Sequence, residues 1–277
     1  VIAAMGIAAT LEGEEMKTTA AGFSGGDRTE IGLPKVQQQL LEKLAATGKP
    51  VVLVLLSGSP LAVPWAAENL PAIVQLWYPG EEGGTALADV LFGDVNPAGR
   101  LPITFYRSVG QLPPFTDYAM DGRTYRFFEG EPLFPFGHGL SYTRFEYSAL
   151  ELPERIELGA PLEVSVAVKN AGTRDGDEVV QLYLTHLGAT TRVPIRALQG
   201  VKRLCLRRGE QRTVSFSLDP RQLAIVNDAG QVRLEPGRVL IAVGGKQPGF
   251  RGAADAATTQ VVTAEVAMVG QAVTLVP

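Results

Sequence analysis

The chain has 277 residues, of which 45% are hydrophobic, 25 are basic and 29 are acidic, giving a net charge of −4. That is enough apolar material for the core of one large domain or two ordinary ones, and it excludes a disordered chain; 31 Gly and 19 Pro without a Gly-X-Y period exclude a collagen-like one. No basic run exceeds Arg207–Arg208, so no nucleic-acid partner is expected, and one cysteine, Cys205, permits neither an internal disulfide nor a cysteine zinc site.

In chain order, Val1–Ala9 opens as an apolar strand with no initiator Met and no basic lead-in. It reads as a buried strand entered partway through a fold, so the chain is expected to be the C-terminal part of something longer. No apolar run reaches the ~18 residues that span a bilayer, so no membrane partner is expected. Leu33–Thr47 carries Val36, Leu40, Leu41 and Leu44 at helical spacing, with Pro34 near its start and Gly48 just beyond its end. Val51–Leu56 is an uninterrupted aliphatic run, as in a strand covered on both faces. Trp65–Asn69 predicts a short helix, Ala72–Leu76 a strand, and Glu81–Phe92 a helix ending before Gly93. This alternation predicts a mostly parallel α/β layer.

Beyond it, Leu112–Tyr147 is rich in Pro, Gly and aromatic residues and reads as an ordered linker packed on both of its neighbours. Leu162–Lys169, Val179–Thr185, Val201–Leu206, Gln211–Leu218 and Arg238–Val243 then follow as strands separated by turn residues. Their density predicts an antiparallel β-sandwich able to fold alone. Cys205 falls in one of these strands and is expected to be a small buried hydrophobe. The divisions are 1–111, 112–147 and 148–277.

Three features bear on chemistry. Gly22-Phe23-Ser24-Gly25-Gly26 has the spacing of a nucleophile elbow, but Lys17–Ala21 is a poor strand and no apolar helix follows at once. A flexible Gly-rich loop is the better reading, with a serine hydrolase using Ser24 as its rival. His138, flanked by Gly137 and Gly139, either contacts a ligand or is a hydrogen-bonded structural group, the second being favoured. Glu12-Gly13-Glu14-Glu15 directly follows the first strand, and α/β sheets bind ligands at the carboxyl ends of their strands. Mutual repulsion would raise at least one of these pKa values, as a general acid requires. From composition alone a solvated acidic loop is the favoured reading. Asp27-Arg28 is either an ion pair bracing the loop or surface charge. No phosphate-binding glycine motif is present, and two histidines make a His-rich metal site improbable.

Four stretches resemble a known family. They are Glu12-Gly13-Glu14 with Gly26-Asp27-Arg28, Leu33-Pro34 and Gln37; Trp77-Tyr78-Pro79-Gly80-Glu81-Glu82-Gly83-Gly84 running on to Gly93-Asp94-Val95-Asn96-Pro97-Ala98-Gly99-Arg100-Leu101-Pro102; Tyr125-Arg126 with Pro135-Phe136-Gly137-His138-Gly139; and Lys169-Asn170-Ala171-Gly172 with Gly176-Asp177-Glu178-Val179. In this order they resemble the C-terminal half of glycoside hydrolase family 3. The resemblance implies a partial, mostly parallel α/β sandwich domain followed by an immunoglobulin-like, fibronectin type III-like sandwich, with an N-terminal barrel missing.

It further implies an exo-acting, retaining β-glucosidase or β-xylosidase acting on β-linked oligosaccharides or glycosides without a cofactor or metal. Retention uses two carboxylates about 5–5.5 Å apart. The family's nucleophile is a barrel aspartate, for which no motif occurs here, so this chain alone is expected to be inactive. The resemblance places the general acid/base on Glu14, with Glu12 the runner-up, and a periplasmic or secreted location. The competing class is a non-catalytic carbohydrate-binding or scaffolding fragment.

Overall fold

A computed structural model describes residues 1–12 and 17–275. The first region is built on β1 (Ile2–Gly6). A two-residue-per-side hairpin follows, β2 (Phe23–Ser24) and β3 (Asp27–Arg28). Then come α1 (Lys35–Ala45), β4 (Val52–Leu56), α2 (Pro64–Asn69), β5 (Ala72–Gln75) and α3 (Gly83–Phe92). β1, β4 and β5 form a parallel sheet in the order β1-β4-β5, with Ile2 beside Val52 and Val52 beside Ala72. The central strand is the aliphatic run, as its two covered faces demand. Its Leu53 and Leu55 pack with Ala3, Met5, Ile7, Leu41, Phe105 and Leu133. Gly93 closes α3 in the left-handed conformation, φ 84°. α1 buries Leu41, whereas Val36 and Leu40, expected on its apolar face, are exposed.

The connecting segment holds one short helix, α4 (Thr124–Phe127). The sandwich follows as β6 (Phe145–Glu151), β7 (Arg155–Glu157), β8 (Leu162–Asn170), β9 (Gly176–Leu187), β10 (Ala197–Leu206) and β11 (Gln211–Leu218). β12 (Ile225–Val226), β13 (Val232–Leu234), β14 (Gly237–Gly244), β15 (Val261–Val269) and β16 (Val273–Thr274) complete it. A five-stranded sheet, β10-β9-β14-β15-β7, and a three-stranded sheet, β11-β8-β6, enclose one core. Leu162, Val164, Val166 and Val168 of β8 and Val180, Leu182 and Leu184 of β9 supply its alternating inward positions.

Two expectations are corrected here. Cys205 is exposed. It sits between inward Leu204 and Leu206 on β10, an edge strand, so the strand's period of two turns it outward beside Asp177. The glycine-rich stretch Gly22–Gly26 belongs to an ordered hairpin, in which Gly25 and Gly26 take φ 60° and 95° between the paired Ser24 and Asp27.

The two regions meet along a polar seam. Asn96 accepts from the Ser141 hydroxyl at 2.9 Å and the Tyr142 amide at 2.8 Å, and donates to the Asp175 carbonyl at 3.1 Å. Arg100 pairs with Glu178 of β9 at 2.6 Å, their side chains being 6% and 0% exposed. Tyr147 donates to the same carboxylate at 2.8 Å. Gln181 donates to the Gly137 carbonyl at 3.1 Å, and Tyr125 stacks on Phe136 with centroids 4.2 Å apart. His138 is enclosed in this seam. Burial pushes its imidazole down to about 4, against a hydrogen bond with the Ala254 backbone.

Candidate active site

Parallel strands end at the same sheet edge, and that edge gathers the polar residues of the first region. β1 leads to Glu12, β4 to the turn Ser57–Pro60, and β5 to Trp77 and Tyr78. Gly6 lets β1 leave the sheet against β4: its φ is +152°, and a side chain there would collide with the Leu56 backbone.

Glu12 is half-buried and fully engaged. Its Oε2 accepts from the Gly58 amide at 2.7 Å and from the Tyr78 hydroxyl, and its Oε1 accepts from the Ser59 hydroxyl. Desolvation raises its pKa, but the bonds from Ser59, Tyr78 and Gly58 and the charge of Arg28 outweigh it and leave the carboxyl below its ordinary value. The same contacts act on Tyr78, which burial and Glu12 push up to about 12. The Arg28 guanidinium reaches Ser59 Oγ at 2.9 Å and the carbonyls of Pro60, Gly32 and Glu30 at 3.1, 3.2 and 3.1 Å. It braces the loop through these oxygens, with its own pKa lowered by desolvation against the pull of Glu12.

Glu14, the residue that the resemblance makes the acid/base, lies outside the described residues. Glu12 stands at the favoured strand edge, but as a proton acceptor already supplied with donors. The raised pKa expected of the acidic cluster is not a property of Glu12. Sequence reasoning missed Gly58, Ser59 and Tyr78. The available signal was Ser-Gly-Ser-Pro directly after the buried run Val51–Leu56, a polar turn at the carboxyl end of a central strand. Ser24 lies on the hairpin, paired across to Asp27.

A model of the glycosyl hydrolase family 3 C-terminal domain matches residues 1–142, and one of the fibronectin type III-like domain matches residues 178–247. The chain belongs to glycosyl hydrolase family 3. It is 47% identical over 86% of its length to a xylan 1,4-beta-xylosidase of Xylanibacter ruminicola and 41% identical over 78% to a periplasmic beta-glucosidase of Salmonella typhimurium. Its fold matches a b-glucosidase of Erythrobacter marinus with TM-score 0.81 and 38% identity, covering 97% of this chain and 34% of that one. A family-3 chain of this size spans less than a third of those two curated relatives, 28% and 30%. Among the described residues, no helix is long and apolar enough to cross a membrane, which leaves β-barrels unaddressed.

Proposed function

We propose that this chain is the acid/base-bearing C-terminal part of a retaining exo-β-glycosidase that cleaves β-glucosides or β-xylosides. The observation that carries the reading is the position of Glu12, two residues before Glu14 in the sequence, beyond the carboxyl end of β1 at the sheet edge where parallel sheets bind ligands, in a chain of this family. Glu14 protonates the departing glycosidic oxygen and then, as carboxylate, draws a proton from the incoming water. An aspartate of a barrel outside this chain is the nucleophile. Residues 1–111 carry the acid, 112–147 tie the parts together and 148–277 brace them. A periplasmic or secreted location agrees with the name of the Salmonella relative.

The test uses the enzyme in which this chain follows its barrel. Glu14→Ala lowers turnover of disaccharides by ~10²–10⁴-fold and spares glycosylation by substrates whose leaving group departs unprotonated. Azide then attacks the anomeric carbon of the glycosyl-enzyme, displaces the aspartate carboxylate and restores turnover as a β-glycosyl azide. An unimpaired Glu14→Ala enzyme would leave the acidic loop a solvated face and favour the non-catalytic reading.

A further inference from the structure

The two residues that bracket positions 13–27 are tied to one turn. Glu12 takes the Gly58 amide and the Ser59 hydroxyl; Arg28 donates to Ser59 Oγ at 2.9 Å and to the Pro60 carbonyl at 3.1 Å. A serine hydroxyl has one proton and two lone pairs. Here the proton goes to Glu12 while the oxygen accepts from Arg28, so a single side chain joins a cation and an anion sixteen residues apart. The turn comes this close because residue 58 has no side chain: a Cβ there would lie 2.9 Å from the Tyr78 ring and 3.2 Å from the Glu12 carboxylate. Tyr78 closes the cluster from β5, where the preceding Trp77 holds an uncommon φ of +58° and packs edge-on to Phe105. Both oxygens of Glu12 therefore face donors. A carboxylate that accepts hydrogen bonds at both oxygens is held in its ionised form, which has no proton to deliver to a sugar.

We propose that Glu12 is a positioning residue, which with Ser59 and Arg28 staples both ends of the acid/base loop to the turn Ser57–Pro60 and so sets where the acid stands. The proposal deepens the reading of Glu14 as acid/base and rests on it. Loss of the staple leaves the acid's chemistry intact and removes the anchor that precedes it in the chain.

Two measurements separate the staple from that reading. The first uses the chain as it is. Lys17 lies exposed within the bracketed stretch, and trypsin cleavage after it should accelerate severalfold in Ser59→Ala and Glu12→Gln and return to the wild-type rate in Ser59→Thr, which restores the hydroxyl. Unchanged cleavage in Ser59→Ala overturns the staple. The second uses the barrel-bearing enzyme. Ser59→Ala should lower kcat/KM on disaccharides by about 10- to 100-fold, the cost of a misplaced catalytic group, with the melting temperature little changed and with kcat/KM for dinitrophenyl glycosides, which reports glycosylation without proton donation, nearly unaffected. Equal losses on both substrates reduce Ser59 to a fold-stabilising residue and overturn the proposal. Azide rescue of Glu12→Gln, with Glu14→Ala unimpaired, makes Glu12 the acid itself and also overturns it. Accelerated cleavage together with a Glu14→Ala enzyme that shows no leaving-group dependence removes the acid role from Glu14, and with it the catalytic half of the proposal.

Discussion

The two regions of the molecule are held together by different physics. The sandwich is closed by burial: the strands of two mostly antiparallel sheets pair along their length, and the inward side chains of β8 and β9 from Leu162 to Leu184 meet other apolar side chains or, at Asn170 and Glu178, polar partners. The parallel sheet is narrower, and its working end is held by hydrogen bonds among Glu12, Ser59, Tyr78 and Arg28 in partly exposed surroundings. Polar contacts there are individually modest, and their value is geometric. Stability resides in one region and adjustable position in the other, with the seam as the place where the first supports the second.

The largest expected effect lies at that seam. Arg100→Met leaves the Glu178 carboxylate buried without its cation, at a cost of about 3–5 kcal/mol in urea unfolding. The double variant Arg100→Met, Glu178→Leu should recover most of it, since a buried pair replaced by apolar groups is often near neutral. A single variant that costs under about 1 kcal/mol would break the comparison, because the regions would then be energetically separate. Residues 146–277 expressed alone keep the sandwich core apart from Phe145 and lose Arg100, so they should show one cooperative transition at a lower melting temperature than the full chain.

A smaller effect is pH-dependent. His138 is held down to about 4 in the folded chain against an ordinary 6.5. Between those values the unfolded state binds more protons, so stability falls as pH drops from 6.5 to 4 and is fully retained above 6.5. The loss contributed by this ring is at most ~3 kcal/mol, and it should be absent from His138→Gln, so that wild type and variant differ by a pH-dependent amount in melts across that range. An identical pH slope in the variant would place the titration elsewhere.

The smallest effect sharpens the contrast at the outer face of the first region. Val36 and Leu40 of α1 are 71% and 51% exposed. Lysine at both positions should change stability by no more than about 0.5 kcal/mol, while sedimentation at high concentration shows less self-association. A large loss of stability would mean that this face is packed in solution.

The legible parts of the fold were those where pattern and environment agree. Val51–Leu56 is aliphatic on both faces because it is the central parallel strand, and β8 alternates because one of its faces is solvent. The strands β6 and β15 are absent from the sequence reading: β6 has a register irregularity between Ser148 and Glu151 and a φ of +48° at Ala149, while β15 puts Val261, Ala267 and Val269 on the same face as Thr263 and Glu265, which blurs its alternation. At the site, the acidic stretch and its place after a strand were visible in the sequence. The grip on Glu12 was not, because Ser59 and Tyr78 lie 47 and 66 residues away and become its neighbours only when three parallel strands end at one edge. Nor does composition reveal that Glu12 is ionised by its donors, since the repulsion among neighbouring carboxylates points the opposite way.

The turn Ser57–Pro60 receives contacts from both Glu12 and Arg28, and in mechanical terms it is a shared datum. When β4 moves with the rest of the sheet, the two anchors are carried by the same displacement and their separation does not change. Only motion of β1 against β4 could alter it, and the five-residue parallel register from Ile2–Val52 to Gly6–Leu56 opposes that slip. Breathing of the domain as a whole is thus common to both anchors and cancels between them.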